Sequence, residues 1–221
     1  MYLHLFASET AISDTLLRLL EQNIDLHEHY FVFGLGKSHP IKRKYEGQLI
    51  DRIFQLKDIR NFFKIIRLIK KAKWIYFHFL AYDPTLFYWF LNRKRLNSST
   101  WIIWGADVYA FQKSNNSFRT KFYEHFRRKI IPDFPEVASL VKEDYEVVKR
   151  VYNTNQQYLP IIYPAPVNSD LMNSIPVKVP QNTYNILIGN SADPSNKHLE
   201  ILNLLKKYST ENIKIYCPLS Y

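Results

Sequence analysis

Short apolar runs alternate with amphipathic stretches along this chain. Leu3–Ala7, Tyr30–Gly34, Arg52–Leu56, Trp74–Phe79, Thr100–Trp104 and Gln157–Ile162 each read as a strand. Between them, helical periodicity predicts helices over Thr10–Gln22, Asp58–Lys71, Pro84–Asn92, Ser117–Lys129 and Leu140–Tyr152. Continuous apolar strands bracketed by amphipathic helices predict an α/β protein with a parallel sheet covered on both faces. Ile131–Ala138 is ambiguous, because Pro132 and Pro135 argue against a central strand there. Within the Asp58–Lys71 helix, Ile59, Phe62, Ile66 and Ile69 recur at helical spacing and are expected to face a core.

A second pattern begins near residue 160. Pro160, Pro164, Pro166, Pro176 and Pro180 make a stiff, extended stretch suited to a domain junction. Beyond it the pattern is strand (Tyr184–Ile188), helix (Ser195–Tyr208), strand (Ile213–Cys217). The expected division is a Rossmann-like domain over 1–166, a linker over 167–182 and a partial domain over 183–221. A single strand–helix–strand unit cannot build an ordinary core alone.

Charge sharpens the picture. The formal net charge is +10. Residues 1–166 carry a net +9 and residues 167–221 a net +1, counted along the sequence. The first part therefore suits an anionic partner: nucleic acid, anionic headgroups or a pyrophosphate. Arg60, Lys64, Arg67 and Lys71 form a basic stripe on the Asp58–Lys71 helix, as expected of a helix lying on an anionic membrane surface or of a plain solvated face. Arg93-Lys94-Arg95 and Arg127-Arg128-Lys129 add two more basic patches. No recognisable nucleic-acid module accompanies them, so a nucleic-acid partner is not expected.

The single cysteine, Cys217, excludes an internal disulfide framework and a multi-cysteine metal site. No run of 18 apolar residues is present. Met1–Ala7 lacks a basic leader and reads as a strand rather than a signal peptide, so a cytoplasmic location is expected.

In parallel sheets ligands collect at the carboxyl ends of strands. Two such ends carry ionisable groups. His78 closes one strand, where it is either a base or phosphate ligand or a satisfied, crowded histidine. Asp107 follows another through Trp104-Gly105-Ala106, as a general base or a carboxylate that braces its loop. Asp83-Pro84 reads as a helix cap. The aromatic run Tyr82, Phe87, Tyr88, Trp89 and Phe90 is either a ligand wall or core. Later, Gly189, Asn190, Ser191, Ser195 and Asn196 surround a strand-to-helix junction, the arrangement that offers free backbone N–H groups to a phosphate or simply caps a helix. Neither G-x-G-x-x-G nor a Walker lysine is present.

Ile103-Trp104-Gly105-Ala106-Asp107-Val108-Tyr109 resembles a segment of a bacterial glycosyltransferase family. So does Ile186-Leu187-Ile188-Gly189-Asn190-Ser191 with Asp193 and Ser195-Asn196-Lys197-His198. His78 with Pro84-Thr85-Leu86, and Cys217-Pro218-Leu219-Ser220-Tyr221, extend the likeness in the same order. The family is that of the TDP-N-acetylfucosamine:lipid II N-acetylfucosaminyltransferases, also described as 4-alpha-L-fucosyltransferases.

The resemblance implies a GT-B-like fold, with one complete Rossmann-like domain and the first β-α-β unit of a second. Family members are longer, so it also implies a C-terminally truncated chain. It implies an inverting transferase that uses no cofactor and no metal, with a TDP-sugar as substrate. The acceptor would be an undecaprenyl-pyrophosphate-linked saccharide, handled by the first domain. The setting would be the cytoplasmic face of the bacterial inner membrane, with the protein peripheral to it, in enterobacterial common antigen or related polysaccharide synthesis. Asp107 is the first candidate base and His78 the second. Gly189, Asn190, Ser191, Ser195 and Asn196 would serve the donor. The alternative reading is a non-catalytic basic module that binds anionic membrane or lipid pyrophosphate.

Overall fold

The structure, a computed structural model, describes residues 1–34, 47–56, 59–80, 82, 84–164, 173–174, 183–189, 192 and 196–219. The chain divides into two units, Met1–Pro166 and Val167–Tyr221.

Seven strands build the first unit: β1 (Tyr2–Phe6), β2 (His29–Phe33), β3 (Ile53–Gln55), β4 (Trp74–His78), β5 (Ser99–Ile102), β6 (Glu136–Ser139) and β7 (Gln157–Pro160). Their order is β3-β2-β1-β4-β5-β6-β7, and every pairing is parallel. This is the doubly wound Rossmann-like arrangement. Its strand order reverses at β1 and β4, and a crevice opens there beyond the strand ends.

The helices are α1 (Ala11–Asn23), α2 (Ile59–Lys71), α3 (Thr85–Leu91), α4 (Phe118–Ile130) and α5 (Lys142–Tyr152). Two of them start with reciprocal caps. Thr10 Oγ1 accepts from Ser13 N–H while Thr10 N–H donates to Ser13 Oγ, and Ser117 pairs likewise with Thr120. Strand alternation splits the core. Phe6, Phe31 and Phe33 pack with Leu17 of α1 on one face. Leu3, Val32, Ile75, Phe77, Trp101 and Val137 pack with α2, α3, α4 and α5 on the other.

Three expectations change. Ile131–Ala138 does contain a strand, β6, and it is central, between β5 and β7. Pro132 lies in the 3-10 turn Ile131–Asp133, and Pro135 lies just before the strand, so neither removes a ladder donor. On α2 Ile69 is buried and Ile66 packs against the core as expected, but Ile65 and Leu68 complete the buried stripe and Phe62 is 44% exposed, while the side chain of Ile59 lies outside the described ones. Helix α3 begins at Thr85 with Pro84 as an N-cap that makes no side-chain bond, and Asp83 lies outside the described residues.

The second unit holds β8 (Tyr184–Leu187), α6 (His198–Leu205) and β9 (Ile213–Tyr216), with β8 and β9 parallel. Leu187, Leu199 and Leu204 are exposed, and α6 buries no residue. Two strands and one helix leave these apolar side chains without a core of their own. The expected linker, apart from residues 173–174, lies outside the described residues.

Candidate active site

A row of polar groups crosses one face of the first unit's sheet, from His29 at the start of β2 through His4 in the middle of β1 to His78 at the carboxyl end of β4 and the segments that follow β5 and β7. His4 and His78 alternate with apolar positions in β1 and β4 and so project onto the α1 face. There five side chains form one hydrogen-bonded row. His29 Nδ1 meets His4 Nε2 at 3.0 Å, and His4 Nδ1 meets His78 Nε2 at 3.1 Å. His78 Nδ1 then meets the Tyr163 hydroxyl at 3.5 Å, and that hydroxyl accepts a bond from Trp104 Nε1. Assigning each imidazole proton to Nε2 gives every bond in the row one donor and one acceptor.

Stacking holds the row. The His78 ring lies 4.1 Å from Phe6, and His4 lies between Phe31 and Tyr76 at 4.8 and 4.9 Å. Burial lowers the His78 pKa to about 3 and that of His4 well below its ordinary value, with neighbouring histidines adding to the effect at His4. Burial also lowers half-exposed His29. At neutral pH all three are uncharged, and burial opposes a lasting positive charge on any of them. Burial first of all raises the Tyr163 pKa, so its hydroxyl keeps its proton.

Asp107 belongs to a different construction. It is 1% exposed. Oδ2 accepts from Leu80 N at 3.1 Å and Trp101 Nε1 at 2.9 Å, and Oδ1 accepts from Trp104 N at 3.0 Å. The carboxylate thus ties the loop after β4 to the loop after β5. Gly105, at φ +89 with open space where a side chain would start, makes the turn that brings Asp107 back under the sheet. Burial raises its pKa, and Arg127 with the three N–H donors pulls it back.

Arg127 is wholly buried beside it. It donates to the carbonyls of Asp107 (2.6 Å) and Leu80 and lies 3.4 Å from Glu124. Three structural N–H donors hold the Asp107 carboxylate, and it is buried away from solvent. In this structure the carboxylate braces the two loops, which is the second of the two readings open to it.

In two of the three basic patches the arginines are held internally, while Lys94 and Lys129 are exposed. Arg128 pairs with Glu124 at 3.2 Å, Arg93 with Asp133, and Arg95 donates to the carbonyls of Ile69 and Ala72. On α2, by contrast, Lys64, Arg67 and Lys71 are exposed beside Phe63, and the helix has no acidic residue. The side chain of Arg60 lies outside the described ones. The aromatic run divides: Trp89 is buried in the core, and Phe87 is half exposed.

In the second unit Gly189 (φ +66) ends β8. A methyl group there would lie 2.7 Å from His198 Nε2 and 2.8 Å from Asn196 Cβ. His198 Nε2 meets the Ile188 carbonyl at 3.1 Å and fastens the start of α6 to the strand end. The helix starts at His198, after Lys197 in the left-handed conformation, rather than at Ser195. Gly189 and Asn196 are thus brought together. Asn190, Ser191 and Ser195 lie outside the described residues.

Tyr163 and His4 were not singled out from sequence. Tyr163 hides in the proline-rich stretch, and the only signal for His4 is a histidine inside an apolar strand. Among the described residues no group of His, Cys, Asp or Glu side chains is placed to hold a metal, and no helix is long and apolar enough to cross a membrane.

Comparison with known families adds one match. The sequence model of the family described as 4-alpha-L-fucosyltransferase, glycosyl transferase group 56, matches residues 12–221. A search of curated proteins finds no matching sequence.

Proposed function

Because the chain belongs to the 4-alpha-L-fucosyltransferase family of glycosyltransferases, we propose that it moves 4-acetamido-4,6-dideoxygalactose (N-acetylfucosamine) from a TDP-sugar to an undecaprenyl-pyrophosphate-linked saccharide. The reaction proceeds with inversion at the cytoplasmic face of the bacterial inner membrane, in the synthesis of enterobacterial common antigen or a related polysaccharide. The observation that carries this reading is the family match across nearly the whole chain. Two further features support it: the polar row across one face of a doubly wound sheet, and the acid-free basic face of α2.

The first unit holds the acceptor, and the junction at Gly189 and Asn196 serves the donor together with Asn190, Ser191 and Ser195. A saccharide stacks and hydrogen-bonds well against Trp104 and Tyr163, whose rings meet edge to face at 5.0 Å. The acceptor hydroxyl attacks the anomeric carbon. A C–O bond forms there as the bond to the TDP oxygen breaks, and TDP leaves with the electron pair. The hydroxyl proton passes through Tyr163 to His78 Nδ1. The Nε2 proton of His78 moves to His4, that of His4 to His29, and half-exposed His29 releases one to water. Such a relay keeps a full imidazolium out of the core, where burial disfavours it. Lys64, Arg67 and Lys71, with Arg60, hold α2 to the anionic bilayer.

Transfer is tested with the TDP-sugar and a polyprenyl-pyrophosphate disaccharide in anionic vesicles. Wild type is expected to release one TDP per sugar transferred. Tyr163→Phe and His78→Asn are expected to lower kcat roughly 10²-fold or more. Unchanged kcat in both variants would remove the row from the mechanism.

A further inference from the structure

A cavity of about 820 Å³ opens on the sheet face opposite the histidine row, between α2 and α3. It lies at the carboxyl ends of β1, β2, β3 and β4, where Phe6, Gly34, Leu56 and Phe79 contribute to its wall. This is the crevice of the strand-order reversal. Its volume is that of a whole ligand site, roughly 300–1,000 Å³.

The lining has one chemistry. Among the described residues it contains no charged side chain, and only Thr85 and Tyr88 bring hydroxyls. A pyrophosphate or a sugar buried here would lose its hydration without finding partners. The occupant is therefore hydrocarbon.

Depth and entry follow from exposure. Phe77 and Trp89 are buried and form the deep part, whereas Phe62 and Phe63 of α2 line the cavity while 44% and 80% exposed. Two exposed phenylalanines on a helix with exposed cations and no acid match a lipid surface with anionic headgroups. Phe79 adds an independent sign. It directly follows His78 and has φ +82, a conformation that bulky side chains avoid. The strained residue lines the cavity while His78 lies on the opposite face, so the hydrocarbon site and the polar row meet within two adjacent residues.

We propose that this cavity holds the isoprene units nearest the phosphate of a polyprenyl-phosphate lipid, with Phe62 and Phe63 dipping into the bilayer at its mouth. The hydrocarbon character rests on the cavity alone. The choice of an isoprenoid over an acyl chain rests on the lipid-linked acceptor proposed above.

The test titrates the full chain with farnesyl phosphate, dodecyl phosphate and inorganic phosphate, by calorimetry and by tryptophan fluorescence. Farnesyl phosphate is expected to bind saturably and at least tenfold more tightly than dodecyl phosphate, and inorganic phosphate is expected not to compete. Ile66→Trp, which fills the cavity from α2, is expected to weaken farnesyl phosphate at least tenfold. A brominated farnesyl phosphate is expected to quench wild-type fluorescence and to lose most of that effect in Trp89→Phe. This second readout decides the matter if Ile66→Trp does not fold.

Absence of saturable binding, or quenching unchanged in Trp89→Phe, would overturn the site. Equal binding of dodecyl phosphate, or of brominated phospholipid in vesicles, would overturn the isoprenoid. Farnesyl phosphate binding without any sugar transfer would sink the transferase reading and leave the cavity. Transfer to lipid-free and farnesyl-linked saccharides with equal KM would do the reverse.

Discussion

Replacing Asp107 by asparagine separates a brace from a base. The two side chains have nearly the same shape, so the change removes charge and one acceptor. Asp107 accepts three N–H bonds, two on Oδ2 and one on Oδ1. An amide has one carbonyl oxygen. In its better orientation that oxygen keeps the Leu80 and Trp101 donors, and the amide NH₂ faces Trp104 N–H, donor against donor. One charge-assisted bond, about 1.5–3 kcal/mol, is lost, and a buried donor goes unpaired at about 1–3 kcal/mol. Buried Arg127 keeps its Glu124 partner and its bond to the Asp107 backbone carbonyl, and loses only the attraction of the nearby Asp107 charge. The neutral amide recovers part of this, since burial disfavours the carboxylate. The expected net destabilisation is about 3 kcal/mol. Urea unfolding followed by circular dichroism measures it, and transfer assayed below the unfolding transition measures activity per folded molecule. A brace predicts that large loss of stability with kcat within tenfold of wild type. Stability within about 0.5 kcal/mol of wild type with kcat down by 10³ would refute the reasoning and restore Asp107 as the base.

Other consequences follow from the same contacts. His4, His29 and His78 have lowered pKa values, so between those values and the ordinary 6.5 the unfolded chain binds more protons than the folded one. Their contribution to stability is complete above about pH 6.5 and is lost as pH falls toward 3, at up to about 1.4 kcal/mol per pH unit for each histidine. Asp107, with its raised pKa, opposes this slope above 3.8. Urea midpoints from pH 7.5 to 5 should fall, and His78→Phe should flatten the slope. Phe63→Ser, and separately Arg67→Glu with Lys71→Glu, should reduce flotation with anionic vesicles while leaving the urea midpoint unchanged, because these side chains are exposed. The charge reversals should lose their effect at 1 M salt. Gly189→Ala should weaken TDP binding severalfold, since its methyl group would collide with His198 and Asn196.

Periodicity located six of the seven strands and all five α-helices of the first unit to within a residue or two, because most of these strands are apolar runs and the helices carry an amphipathic period. What it missed depends on distant partners. Pro135 looked like a break, but it precedes β6 and costs the ladder nothing. Arg127 looked like part of a surface patch, yet it turns inward to carbonyls and Glu124, contacts that no local pattern encodes. Phe62 fits the helical stripe on α2, and only the packing of Ile65 and Leu68 shows the buried stripe turned away from it. At the candidate site, the strand-end positions of His78 and Asp107 were legible. Their opposite fates were not, because the fate of each depends on residues of other strands and loops, His4 for one and Trp101 and Leu80 for the other. Tyr163 enters the row only because the chain returns from β7 to the end of β4.

The central claim is sugar transfer to a lipid-linked acceptor, and the most direct measurement is the mass and anomeric configuration of the product. The full chain is incubated with TDP-N-acetylfucosamine and an undecaprenyl-pyrophosphate disaccharide in anionic vesicles. The account predicts a trisaccharide heavier by one acetamido-dideoxyhexose residue, linked with inverted anomeric configuration, and one TDP released per linkage formed. Consumption of the TDP-sugar at the same rate without acceptor, or a retained configuration in the product, would contradict it.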